Sequence, residues 1–248
     1  MPLARAEAAK ALALDPSDTD ALAMLGQVAR TFDYDRSEAE RVRRALGDRI
    51  DSFPAVYFRI GAERDLRAVV ELLERVLRLD PLNGLFRAIL ANAWMWQRQH
   101  DRALAEATKL VDLDVPFYGG YSVIAQSYVC LGRIRDAVEA AGKAYRAAPW
   151  HPRVIGWYAA ALKRDGQTRR AEDLLRDMRR ADNPLGVPMG MIVYHLAAGE
   201  PDDALEWYER AVEEREPLAI AYTQDPNTAA LRTNPRWIAL LRRMGLAD

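Results

Sequence analysis

The sequence predicts an all-helical chain, a right-handed α-solenoid of about six two-helix hairpins closed by a C-terminal capping helix. The first observation behind that expectation is a fixed step between prolines. Pro81, Pro149 and Pro217 lie 68 residues apart, as do Pro116 and Pro184. The second is a half-step of 34 kept by small residues: Ala103, Ala137 and Ala171 are 34 apart, Ala204 follows after 33, and Gly132 and Gly166 are again separated by 34. The third is that apolar residues between these markers recur at three and four positions, the period of an amphipathic helix. A repeat length in the range of roughly 20 to 50 residues marks a solenoid or another array of stacked units.

One unit shows how the hairpin arises. In GYSVIAQSYVCLGRIRDAVEAAGKAYRAAPW, residues 120 to 150, Tyr121, Ile124, Ala125 and Tyr128 form one helical stripe. Leu131-Gly132 interrupts it, and Ile134, Ala137, Val138, Ala141 and Ala144 form the next. Glycine suits the left-handed conformation that ends a helix because it carries no Cβ. Pro149 lacks an amide proton and disfavours helix in the residue before it, so it stops the second helix. Alanine at 125 and 137 lets the two helices of a hairpin cross at the low end of the usual ~8–10 Å separation, and the tyrosines are expected to fill the space between hairpins.

The step divides the chain into hairpins at roughly 17–48, 49–81, 82–116, 117–149, 150–184 and 185–217, which together with a preceding helix make a repeat region over 1–217 and leave 218–248 as a cap. The second hairpin is expected to be irregular, since Pro54 and Gly61 interrupt its pattern and Pro16 to Pro81 spans 65 residues, three short of two units. Residues 3–14, LARAEAAKALAL, match only the second helix of a unit. Repeat arrays expose an apolar face wherever they stop and need caps. At the far end Asn234-Pro235 supplies an N-cap and first turn, with Trp237, Leu240, Leu241 and Met244 along one face.

These residues resemble the tetratricopeptide repeat (TPR), whose signature is a large residue, Leu-Gly, an aromatic, then Ala, Phe and Pro at fixed offsets. Leu25-Gly26 in ALAMLGQVA keeps the Leu-Gly pair, Tyr128 the aromatic, and DRALAEATKLVDLD, RDAVEAAGKAYRAAP and RRAEDLLRDMRRADNP the second helix. ALDPSDTDALAMLGQVARTFDYDRSEAERVRRAL, GEPDDALEWYERAVEEREP and LRTNPRWIALLRRMGL are similar to the TPR modules that follow effector domains in bacterial signalling proteins: winged-helix regulators, nucleotide cyclases and protein kinases. The sequence shows no such effector ahead of the repeats, so the resemblance leads us to expect either an excised or stand-alone sensor half or a module whose output another subunit supplies.

Composition and local motifs exclude several other functions. Thirty-five basic residues against 36 acidic ones give a formal charge of -1, which supplies no global field for nucleic acid or an anionic membrane. The longest largely apolar run, Gly186 to Gly199, is too short to span a bilayer and holds Pro188 and His195. The single cysteine, Cys130, reads as a buried thiol between Val129 and Leu131, favouring a reducing compartment and the cytoplasm. His100, His151 and His195 show no metal-ligand spacing, and neither a nucleophile elbow nor a phosphate-cradling glycine loop occurs. No cofactor, metal or catalytic residue is therefore expected. Clustered arginines such as Arg41, Arg43, Arg44 and Arg176 alternate with acids in the pattern of helical ion pairs, and the six tryptophans fall mostly at core spacing.

The TPR resemblance implies that first helices line a concave groove. Spacing places there Leu85, Ala88, Asn92, Met95 and Trp96; Ser122, Gln126, Val129 and Cys130; Arg153, Gly156, Ala160, Lys163 and Arg164; and Gly190, Tyr194 and Ala197. Asn92, Gln126 and Tyr194 suit a peptide backbone, Trp96 an apolar anchor, and Arg153, Lys163 and Arg164 a carboxylate. The expected function is protein or peptide binding in this groove. Two other readings stand beside it: a small-molecule sensor or enzyme with a pocket around Trp96, Gln126 and Tyr194, and a homodimer formed through the uncapped N-terminal helix.

Overall fold

The computed structural model describes residues 1–113, 118–182 and 184–247. Helices α1 (Pro2–Leu14), α2 (Thr19–Val28) and α3 (Arg36–Leu46) open the chain, and a π-helical turn, Ala29–Asp33, extends α2. Helices α4 (Phe53–Ala62) and α5 (Leu66–Leu79) come next, followed by helix pairs: α6 (Gly84–Trp96) with α7 (His100–Asp112), α8 (Gly119–Cys130) with α9 (Ile134–Ala147), and α10 (Pro152–Arg164) with α11 (Thr168–Arg180). Helices α12 (Val187–Ala198) and α13 (Pro201–Glu213) complete the hairpins. The described residues contain no strand, and none of their helices is long and apolar enough to cross a membrane. The expected boundary at Pro116 and 117 lies outside the described residues.

The turns inside the hairpins share one geometry. Gly132, Gly166 and Gly199 have positive φ, and the amide of the residue after each glycine closes a wide loop: Arg133 N to Tyr128 O at 2.9 Å, Gln167 N to Leu162 O at 2.9 Å and Glu200 N to His195 O at 2.8 Å. This is the Schellman arrangement, which satisfies carbonyls the helix end leaves open. In the third hairpin Arg98 takes the left-handed position, with Gln99 N bonded to Trp94 O at 2.9 Å. The turn therefore persists where the glycine rhythm lapses.

Small residues set the packing distances, though not always where the repeat pattern alone suggests. Ala125 and Ala137 are buried between α8 and α9. Gly156 and Gly190, expected to face the groove, instead meet where α10 crosses α12: a Cβ on Gly156 would stand 2.1 Å from Gly190 O, and one on Gly190 would stand 2.7 Å from Pro152 O. Ala160 is buried with them, and Met95, Val129 and Ala197 also face the core. The second hairpin shows why its pattern looked broken. Pro54 occupies the first turn of α4 behind the Ser52 cap, and Gly61 stands near its end against the Arg30 guanidinium. Helix α4 lies along α2 and barely touches α5.

Other details also depart from expectation. Cys130 is exposed at the end of α8 rather than buried, because the Leu131-Gly132 turn begins there. Trp150 is 72% exposed, unlike the core tryptophans. The arginine-rich helices carry the ion pairs expected of them: Arg41 with Glu38, Arg43 and Arg44 with Glu40, and Arg176 with Asp173.

Beyond α13 the chain folds back. Arg215 turns it with positive φ, and the Glu216 carboxylate accepts the Gly186 amide at 2.8 Å. Short helix α14 (Ala219–Tyr222), a 3-10 turn (Pro226–Leu231) and α15 (Pro235–Arg243) follow. Asn234 caps α15 as its sequence indicates, and Trp237, Leu240 and Met244 are buried, with Leu241 partly so. This segment does more than cap the last hairpin. Gly245 packs against the Tyr34 carbonyl and the Arg215 guanidinium sits 4.8 Å from the Tyr34 ring centre, so the C-terminal extension joins the first hairpin to the last.

Candidate functional site

Successive first helices and the returning C-terminal segment enclose a pocket of about 270 Å³. Tyr57 comes from α4, Asn92 and Trp96 from α6, Ser122 and Gln126 from α8, and Arg153 and Trp157 from α10. Arg30 enters from the π-helical turn, and Leu218, Ala221, Tyr222 and Gln224 line the opposite side. Ile60, Leu66, Val69, Ile89, Val123 and Val154 make the remaining wall largely apolar.

The segment carrying Tyr222 occupies the groove in a specific way. The Tyr222 ring meets Trp96 edge-on with centroids 5.6 Å apart, a geometry that aromatic quadrupoles favour. Its hydroxyl accepts a bond from Arg153 Nη1 at 2.8 Å, and its backbone carbonyl accepts one from the Tyr208 hydroxyl at 2.9 Å.

Cations dominate the polar part of the pocket. Burial pushes the Arg30 guanidinium down to about 10, offset in part by the Tyr57 hydroxyl. Outside this pocket, at the N-cap of α10, burial, then the Arg153 charge, pushes the His151 imidazole down to about 4, so it stays neutral near pH 7. No ion pair joins Arg30 or Arg153 to a carboxylate among the described residues. Three buried donors at this wall have no hydrogen-bond partner: Arg30 Nε, Ser122 Oγ and Trp157 Nε1. Asn92 uses its amide within its own helix, donating to Ala88 O at 3.0 Å.

Asn92, Trp96, Gln126 and Arg153 are thus brought together, whereas Lys163, Arg164 and Tyr194 lie outside the pocket. Lys163 pairs with Glu200 and stands 5.5 Å from the Tyr194 ring centre, and Arg164 donates to Val129 O at 3.3 Å. Glu200 also bonds His195 Nδ1 at 2.9 Å. His195, Glu200 and Asp203 offer ligand atoms within 4.8 Å of one another, but both Glu200 oxygens already have partners there, one the Lys163 ammonium and the other His195 Nδ1.

Arg30, Tyr57, Trp157 and Tyr222 were not among the residues expected at the site. The π-helical turn sets Arg30 out of step with the regular helical period, and Tyr222 belongs to a segment with no repeat register.

No family model and no curated protein matches the chain. Solved structures do. TTC0263, a thermophilic TPR protein of Thermus thermophilus, is 21% identical and aligns over 69% of this chain and 93% of its own with a TM-score of 0.50. One chain of the APC/C hetero-tetramer Cut9–Hcn1 aligns over 96% of this chain and 48% of its own, at 14% identity and a TM-score of 0.56. The chain has the tetratricopeptide-repeat fold. In TPR terms, the pocket lies on the first-helix side of the solenoid, and the C-terminal extension lies over it.

Proposed function

We propose that this TPR-fold chain is a non-catalytic module that binds a partner protein through a peptide segment in its concave groove. The observation that carries the reading is the chain's own segment 218–224, which rests in that groove with an aromatic ring on Trp96 and a hydroxyl on Arg153. A groove that holds one segment by an aromatic anchor can hold another, and buried aromatic and arginine side chains are the residue types that concentrate binding energy. The sequence resemblance to modules of bacterial signalling proteins supports a role as sensor or scaffold.

The test uses a fluorescent peptide spanning residues 217–226 and the full-length chain. Tyr222→Ala should free the Trp96 surface and raise the peptide's affinity over that of the parent chain. Adding Trp96→Ala to that variant should weaken binding by about 2 kcal/mol. Equal affinity in all three proteins would remove the groove from consideration. Self-association through α1, whose Leu3 and Leu14 side chains remain exposed, is a second reading, and light scattering at two concentrations distinguishes it.

A further inference from the structure

One of the two cations in the pocket, Arg30, is unused by the peptide reading. Tyr222 engages Arg153, but Arg30 lies across the pocket wall with its Nε buried and unpartnered. Its Nη2 donates to Gln27 Oε1 at 3.4 Å, and the Tyr57 hydroxyl acts electrostatically on both Arg30 and Arg153. On its far side Arg30 borders a second pocket that holds Glu40, yet Glu40 is bonded to Arg43 and Arg44. A partly buried guanidinium without a carboxylate counter-ion is stabilised by anything anionic that pairs with it. Ser122 Oγ and Trp157 Nε1 add two further buried donors without partners at the same wall. Apolar side chains, among them Ile89, Trp96 and Val123, complete the surface.

We propose that this pocket binds a small free organic acid, its carboxylate held at Arg30 and Arg153 and its short apolar or aromatic body set against Trp96, Ile89 and Val123. Arginine suits a carboxylate because its planar fork donates two parallel bonds. A free acid fits better than the terminus of a long peptide because Leu218, Ala221, Tyr222 and Gln224 already cover one side and the space left is about 270 Å³. The site shares Trp96 and Arg153 with the peptide surface of the preceding section and is distinguished from it by Arg30, whose hydrogen bond goes to Gln27 and not to the Tyr222 segment.

Matched probes separate charge from shape. The full-length protein is titrated by calorimetry and thermal shift with 3-methylbutanoate, 3-phenylpropanoate and indole-3-acetate, each against its primary amide, and with a tetrapeptide ending in a free phenylalanine carboxylate. At least one acid should bind about tenfold or more tightly than its amide, the discrimination expected of charge-assisted hydrogen bonds. Arg30→Met should abolish that preference without lowering the melting temperature of the unliganded protein, since it removes an uncompensated buried cation. Arg30→Lys, which keeps the charge but loses the fork, should retain a preference reduced several-fold. Acids and amides binding alike, a preference that survives Arg30→Met, a lowered unliganded melting temperature in that variant, or the tetrapeptide binding more tightly than every free acid would each overturn the proposal.

Discussion

Gly156 shows at the residue scale how a repeat protein controls the distance between its units. With Gly190 O where its Cβ would be, 2.1 Å away, the contact is backbone against backbone, and no side-chain rotation relieves it. Gly156→Ala should therefore destabilise the protein by roughly 3 kcal/mol, the upper end of overpacking costs, read as a lowered denaturant midpoint. Two titrating residues make opposed contributions to stability. Burial raises the Asp225 carboxyl to about 6, against an ordinary value of 3.8, so between about pH 4 and 6 the folded state holds a proton that the unfolded chain has lost. Stability from this group falls as pH rises through that window. Burial and Arg153 lower His151 to about 4 from 6.5, so over nearly the same window the unfolded chain holds a proton that the folded state lacks, and stability rises with pH. The two slopes offset each other in the parent protein. Chemical denaturation at pH 4 to 6.5 should show stability rising more steeply with pH in Asp225→Asn than in the parent, and falling with pH in His151→Gln relative to the parent.

At the scale of the element, the hairpin was the most legible feature of the sequence. Its alanines, its turn glycines and the proline that follows are each required by local sterics, so a fixed step in the text becomes a fixed step in space. Ala137 is fully buried at the crossing of α8 and α9, and Ala137→Arg is expected to cost about 1–3 kcal/mol by overpacking, measured by thermal melting; an unchanged midpoint would move that crossing elsewhere. The same steric logic misread two positions. Gly156 and Gly190 are small because two backbones meet there, a constraint between repeats that single-helix periodicity cannot distinguish from room left for a ligand. The groove residues Asn92, Trp96, Gln126 and Arg153 followed from the register of first helices. Lys163 and Arg164 shared that register but lie beyond the reach of the cover, and Lys163 found Glu200 instead. Arg30 escaped because the π-helical turn breaks the period on which such register arguments depend.

At the scale of the whole molecule, the decisive element is the one with no periodicity. An open solenoid is quasi-one-dimensional, each unit contacting only its neighbours. Here residues 218–247 run from the last hairpin past the concave surface to the first, with Tyr222 on Trp96 and Gly245 at Tyr34. That contact joins parts of the chain about 200 residues apart by sequence, a distance no repeat-based reading addresses. It converts an exposed groove into a covered pocket and gives both functional proposals their geometry. Hydrogen exchange of the intact protein tests this arrangement most directly. Amides of Ala219 to Asp225 should exchange as slowly as those of the core helix α10, and Tyr222→Ala should accelerate them while leaving α10 protected. Rapid exchange of that segment in the parent protein, at the rate of an unstructured linker, would contradict the account.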